Sequence, residues 1–349
     1  MRTLETLGLW TALAPFCAPL SRLRIVDATR RLIRAPEVLF EAAELGLDAF
    51  GQNIENDHLQ RSLRAAVAAD QRIRVVGAAV SGVTSAEREV ALLAGDEQYH
   101  VTLAVGADGR KSICREAAGI ATRKREFSQV ALTMNLRHTR PHGNISTEFH
   151  TETGPFTLVP LQGGRSSLVC VVDPNEAKLL GEMNDAALAL EIERRAHSIL
   201  GRMEIDGPRG SFPLSIETSD AMAAQRIALV GEAAHLLPPI GAQGLNLGIR
   251  DAATIAEIVA DARRAGQDIG GDAVLALYEE RRQPDVRNRA MAVEWMNRSL
   301  LSDFLPVHAA RGFGLEIASR LGFLRRALMR EGLGPREGDA PRLARGERL

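Results

Sequence analysis

Between Arg226 and Asp251 the chain reads RIALVGEAAHLLPPIGAQGLNLGIRD, and its apolar pattern changes period partway. Ile227 to Val230 is a short continuous apolar run, the pattern of a strand buried on both faces. Gly231 and Glu232 stop it. Pro238, Pro239, Gly241 and Gly244 then predict a loop that is not helical before Gly244. From Leu245 the apolar positions fall at 245, 249, 252, 256 and 259, which is helix spacing. A strand, a Gly/Pro loop and a helix in that order aim the first helical amides back at the strand end. Free N–H groups and the macrodipole there stabilise negative charge or a carbonyl. Gly241 and Gly244 let a ligand come close to the backbone. In open α/β sheets ligands sit at this carboxyl edge.

The same reasoning organises the rest. Residues 1–20 predict a helix stopping near Pro15 or Pro19. LRIVDAT and RLIRAPEVLF, between Arg22 and Phe40, predict strands. Phe50 to Asp70 predicts a turn and then an amphipathic helix with Leu59, Leu63, Ala66 and Val67 inward. Arg72 to Val76 predicts a short strand. Ala79 to Gly106 gives three strand-like runs split at Ala86-Glu87 and Gly95-Asp96, a β-meander. Val130 to Val172 holds four runs broken at Pro141, Gly154-Pro155 and Gly163-Gly164, an antiparallel sheet distinct from the parallel layer. Asn184 to Leu200 predicts a helix, Gly201 to Ser219 a return to the sheet, and Asp272 to Ser299 a long helix. A helical region follows, and Glu331 to Leu349 predicts a frayed, Gly/Pro/charge-rich tail.

Composition narrows the class. At 349 residues, with 45% hydrophobic and 25% charged positions, the chain has ample core for two domains or one large one. A net charge of −1 gives no electrostatic case for nucleic acid. Cys17, Cys114 and Cys170 are too scattered for a metal site or disulfide framework, which points to a reducing, cytoplasmic setting. No apolar run reaches 18 residues.

GEAAHLLPPIGAQGLNLGIRD resembles the second flavin-binding signature of the class A flavoprotein monooxygenases, the aromatic hydroxylases built like p-hydroxybenzoate hydroxylase, and in particular the ubiquinone-biosynthesis hydroxylases. The resemblance implies FAD as cofactor, NAD(P)H as co-substrate, and insertion of one oxygen atom of O2 into an electron-rich ring. It makes Glu232, an aspartate in the family, the partner of the flavin ribityl chain. The amides of Gly244, Leu245 and Asn246 would meet the isoalloxazine pyrimidine edge, with Gly241 in the same loop. Pro239 would line the flavin face through its backbone, and no acid–base residue is assigned. GADG, with Asp108, Gly109, Ser112 and Arg115, resembles the family's Asp-Gly motif, which helps hold the dinucleotide and is implicated in NAD(P)H use. Gln52, in FGQNIENDHL, aligns with a glutamine that touches FAD in some relatives, and reads equally well as a polar helix-entry residue. With GLDAF and YEERRQPD, the motif suggests a polyprenyl phenol as substrate, with a peripheral contact on the inner membrane and with quinone-biosynthesis proteins. The extra methylene of Glu232 predicts weaker flavin binding.

The fold implied is α/β: a Rossmann-like parallel sheet of the p-hydroxybenzoate hydroxylase kind with an inserted antiparallel substrate domain. The expected division is 1–20, 52–121 and 220–298 for FAD, 21–51 and 122–219 for substrate, and 299–349 as a C-terminal helical region. The family opens with a strand, GxGxxG and a helix, whereas MRTLETLGLW resembles a position beyond that unit. The first βαβ is therefore expected to be missing, with a reading frame that starts further upstream preferred over a genuine truncation. Its absence would leave backbone groups on neighbouring strands unpaired. Alternatives are a flavin-free interaction subunit of the quinone-biosynthesis assembly, or a reductase or hydroxylase of another substrate on this fold. His235 reads as a structural residue or a general base. Thr133, Asn135, Arg137, His138 and Thr157 could face a substrate. Phe313, Ile317, Leu321, Leu324 and Leu328 form a stripe that suits either core packing or a membrane surface.

Overall fold

A computed structural model describes residues 1–29, 34–239, 243–301, 322–333 and 340–349. Its largest sheet is built around the strand Thr122–His138, which pairs antiparallel with Arg165–Val172 on one side and Gly210–Ser219 on the other. Pro155–Leu161 and Ile145–His150 extend it, as the alternating runs and Gly/Pro breaks predict. The sheet is not purely antiparallel. Ile145–His150 runs parallel to Arg22–Asp27, which can add there only because a long stretch of chain connects the two strands.

Period-two alternation sorts the two faces of Thr122–His138. Leu132, Met134 and Leu136 point into a core shared with Ala177, Leu180, Leu188 and Ile192 of two covering helices, Pro174–Glu182 and Asp185–Arg195. The first of these helices has no counterpart in the periodicity, although Asp173 caps it through the amides of Asn175 and Glu176 and Pro174 opens it.

A second, three-stranded sheet carries the parallel pair. Ala104–Gly106 lies parallel to Ile227–Leu229, and Ala223–Ala224 adds antiparallel to the latter. Ile227, Ala228 and Leu229 are fully buried, as the continuous apolar run requires. Ala104–Gly106 ends that sheet, with no strand on its outer edge among the described residues, and Val105 is 46% exposed. The run Tyr99 to Val105 splits between sheets: Glu97–Val101 closes the meander with Val80–Ser85 and Val90–Ala94. Arg72 to Val76 is not a strand, and Val75 is 68% exposed. An alternating pattern becomes a strand only where a neighbour offers ladder partners, and none does so here among the described residues.

Three other expectations are corrected. The first 20 residues hold two short helices, Arg2–Thr6 and Trp10–Leu13, broken at Gly8, whose φ is +74°. In the helix Asn56–Ala69, Leu59 is buried and Leu63 packs beside it, but Val67 faces solvent. The chain end is docked: Arg342–Arg345 is helical, Leu343 is buried, Thr6 Oγ1 donates to the Leu343 carbonyl at 3.1 Å, and the Arg342 amide donates to Glu257 at 2.6 Å. The helix Gly322–Leu333 sits against the sheet edge, with Arg325 on Glu44 and over the Phe40 ring, and Met329 beside Val38. Phe313, Ile317 and Leu321 lie outside the described residues, as do the side chains of Leu324 and Leu328. Among the described residues no helix is long and apolar enough to cross a membrane, and no His/Cys/Asp/Glu group could hold a metal ion.

Candidate active site

The parallel pair brings two distant turns to one edge. Gly106 lies opposite Leu229, and the Val230 amide donates to the Gly106 carbonyl at 2.9 Å. A Cβ on Gly106 would stand 2.6 Å from Cys114 Cβ and 3.1 Å from Leu229, so only glycine lets the two elements close. From this edge leave the GADG turn and the GEAAH turn. Arg115 joins them, donating to the Ala233 carbonyl and the Arg110 carbonyl, both at 2.8 Å. Arg110 Nε donates to Glu232 Oε2 at 3.1 Å, with both side chains about half exposed.

The first turn is self-supporting. Asp108 accepts from Ser112 Oγ at 2.6 Å and from the Cys114 amide at 3.2 Å. Ser112 Oγ accepts the Arg115 amide at 2.9 Å and caps the short helix Ile113–Ala117. Burial would raise the Asp108 carboxyl, but the bonds from Ser112 and Cys114 outweigh it and hold it below the usual carboxylate range. Gly109 turns the chain at φ +78°.

The second turn starts at Gly231, φ +60°, and leaves Glu232 exposed while Ala233, Ala234, His235 and Leu236 go inward. Pro238 is buried and Pro239 exposed. The helix is Gln243–Arg264, one residue earlier than the glycine predicts. Gly244, Leu245 and Asn246 are all exposed at its start, Leu245 by 59%. Gly241 lies outside the described residues.

The apolar stripe counted from Leu245 is not the buried face. Leu247, Arg250, Asp251, Thr254, Ile255 and Ile258 are buried instead, and Ala252 is exposed. Polar residues can turn inward because partners await them. Asp251 accepts from the Gly231 amide at 3.0 Å, from His235 Nε2 at 2.6 Å and from Arg282 Nε at 2.7 Å. Asp285 binds Arg282 at 2.8 Å, Arg289 at 3.1 Å and Arg250 at 3.3 Å. Burial brings Arg250 down to about 10. Burial also works against the Asp285 carboxylate, yet the surrounding arginines keep it below its ordinary value. Tyr278 Oη donates to the Leu229 carbonyl at 2.8 Å. His235 is therefore structural: buried, with Nε2 on Asp251. Asp251, Tyr278 and Arg282 are the residues to which the sequence gives no role of their own, whereas Arg115 is part of the GADG motif. The one signal available was Tyr278 and Arg282 at i, i+4, which share a helix face.

Gln52 is placed by another element, a two-stranded ladder in which it faces Pro19. On the large sheet, Thr133 lies opposite Val169 and Thr157 opposite the same Val169, so these residues share the face turned away from the covering helices. Asn135 and Arg137 alternate onto that face, and His138 onto the other. Asn135 donates to Glu55 and Arg137 to Asp206, while Arg165 holds both acids. Thr133 and Thr157 remain half-buried.

The groups that would receive a flavin head fit it. A Cβ on Gly109, Gly231 or Gly244 would meet nothing within 4 Å, Glu232 offers a carboxylate next to Gly231, and Gly244, Leu245 and Asn246 are exposed residues at the start of a 22-residue helix.

Residues 1–293 match a family described as FAD binding domain. Ubiquinone hydroxylase UbiL of Rhodospirillum rubrum is 33% identical over 99% of this chain and 80% of its own length. The 3-demethoxyubiquinol 3-hydroxylase of Escherichia coli is 30% identical over 95% of this chain and 84% of its own. Among solved structures, Klebsiella pneumoniae HpxO complexed with FAD and uric acid superposes with a TM-score of 0.74 at 18% identity, covering 97% of this chain and 86% of HpxO, a likeness of fold.

Proposed function

Since the chain belongs to the FAD-binding-domain family of flavoprotein monooxygenases, we propose that it is an FAD-dependent hydroxylase of ubiquinone biosynthesis, acting on a polyprenyl phenol with NAD(P)H as reductant. The relatives are named for ubiquinone hydroxylation. The observation that carries the reading is that the turn bearing Glu232, at the end of a parallel strand pair, packs at Gly231 against Gly248 of the helix that opens with the exposed residues Gly244–Asn246. On this reading residues 1–20, 52–121 and 220–298 form the flavin unit, and 21–51 and 122–219 the substrate unit.

FAD supplies the redox chemistry that activates O2. The chain's residues bind and orient. Glu232 accepts from ribityl hydroxyls, in exchange for Arg110. The helix amides and macrodipole stabilise negative charge at the pyrimidine edge. Asp108 and Gly109 shape the neighbouring turn for the dinucleotide. Pro239, exposed after buried Pro238, would present its backbone at the flavin face. Thr133 and Thr157 offer small polar groups on the sheet face that the covering helices leave free.

The test is oxygen uptake coupled to NAD(P)H oxidation by the FAD-loaded protein with a polyprenyl phenol. A product heavier by one oxygen atom is expected. Flavin reduction without oxygenated product would favour the reductase reading, and no flavin uptake the interaction-subunit reading. Because the extra methylene shifts the Glu232 carboxylate, which here reaches Arg110, Glu232→Asp is expected to raise FAD retention, and no gain would count against that weakening. Peripheral membrane contact belongs to the same proposal. It predicts liposome co-sedimentation that deletion of residues 311–330 reduces.

A further inference from the structure

We infer that Asp251 is the positioning residue of both halves of the flavin site, acting through one chain of ion pairs and hydrogen bonds that runs from a buried start to a half-buried end. The inference rests on the flavin reading above. Asp251 is 0% exposed on the Gln243–Arg264 helix, where a carboxylate persists only if its oxygens are fully engaged. Its Oδ2 accepts from the Gly231 amide at 3.0 Å and His235 Nε2 at 2.6 Å. One oxygen thus holds both ends of the turn that presents Glu232. With the Gly231 amide and the His235 ring drawn inward, Glu232 is left facing outward. The packing agrees: a Cβ on Gly248 would stand 3.2 Å from Gly231 Cα, so helix and turn touch backbone to backbone.

The other oxygen leads to the second half. Asp251 Oδ1 accepts from Arg282 Nε at 2.7 Å, Arg282 binds Asp285 at 2.8 Å, and Asp285 binds Arg289 at 3.1 Å. Arg289 Nη1 then donates to Gln243 Oε1 at 2.7 Å. Gln243 is the first residue of the helix that opens with the exposed residues Gly244 to Asn246, which on the flavin reading are the other half of the site. The network therefore runs from the turn holding Glu232 to the start of the helix that presents the amides. It fixes their separation from behind without touching the cofactor. The YEERRQPD stretch supplies the middle of that chain.

Asp251→Asn keeps the shape but turns one acceptor into a donor facing donors. One of Gly231, His235 or Arg282 must then lose its partner in a low-dielectric setting. FAD affinity is expected to fall by about tenfold or more, a loss of one buried hydrogen bond's magnitude, with an altered visible circular dichroism of the bound flavin. Arg282→Gln should do the same, and Arg282→Lys, which restores the charge, should recover most of the affinity. Arg281→Gln, at an exposed neighbour, should leave affinity unchanged. A second readout needs no flavin. Hydrogen exchange of amides in 227–236 should speed up in Asp251→Asn, while those of the Thr122–His138 strand keep their wild-type rates. Wild-type FAD affinity, flavin spectrum and exchange in Asp251→Asn would overturn the inference. If the unaltered protein takes up no FAD, the flavin reading falls, and the exchange arm still decides whether Asp251 positions the turn. Should Asp251→Asn not fold, Arg289→Gln cuts the chain at Gln243. It should weaken FAD about threefold or more, in keeping with one charge-assisted bond at a half-buried site, and unchanged binding there would overturn the proposal.

Discussion

After Ala104–Gly106 the chain turns on its own side chains: Asp108 takes Ser112, four positions on, and Ser112 takes the Arg115 amide three positions on. After Ile227–Leu229 it turns on side chains that come from far away. Asp251 stands 20 positions from Gly231, Arg282 31 from Asp251, and Tyr278 49 from Leu229. The first turn leads into a helix of 5 residues, the second into one of 22. A turn supported locally can form early and shift cheaply. One clamped by two helices is fixed only when the whole unit is folded, and then more rigidly. The residues assigned to the flavin's pyrimidine edge and ribityl chain lie on the second.

The contrast can be broken most severely at Arg282. Arg282→Ala leaves Asp251 buried and short of a partner, a loss on the order of 3–5 kcal/mol, read as a lower denaturant midpoint. A stability within 1 kcal/mol of the unaltered chain would mean that the second turn, too, is supported locally.

Acid acts on both regions, since Asp108 and Asp285 are each held below the usual carboxylate range, and Arg282→Ala is what separates them. Burial disfavours the Asp285 carboxylate, but Arg250, Arg282 and Arg289 hold its proton affinity below the ordinary value. A group depressed on folding contributes stability above its unfolded pKa and loses it as pH falls through the folded one. Stability should therefore be level near neutrality and fall below about pH 4, with Arg282→Ala falling less steeply. A monitored fall that begins near neutrality would assign acid sensitivity elsewhere.

Ser112→Ala tests the local turn. It removes a helix cap and one donor to Asp108, for roughly 0.5–2 kcal/mol, and hydrogen exchange should rise in 108–117 while 227–236 stays protected. The smallest change is Arg110→Ala at the half-exposed pair with Glu232, about 0.2–1 kcal/mol and weaker still at high salt.

The same division explains what the sequence discloses. Asp108, Gly109, Glu232 and the Gly244 to Asn246 helix start are marked by turn residues and motif spacing, so they are legible. Asp251 and Arg282 look like surface charges until the fold supplies partners, which is why the stripe from Leu245 points to the wrong face. Strands of the large sheet are legible because alternation and Gly/Pro breaks are local. Arg72 to Val76 has the alternation without a ladder neighbour among the described residues, so pattern alone misleads there. The charged tail around Arg342 is read as frayed because Glu257 and Asp261, which bind it, sit far away in sequence.

The measurement closest to the central claim is a titration of the purified protein with FAD, followed by the flavin's visible absorption and fluorescence. Saturable uptake with a shielded isoalloxazine, weakened in Asp251→Asn, is the predicted result. Failure to take up FAD under every reconstitution condition would contradict the assignment of the turn after Val230 to the flavin.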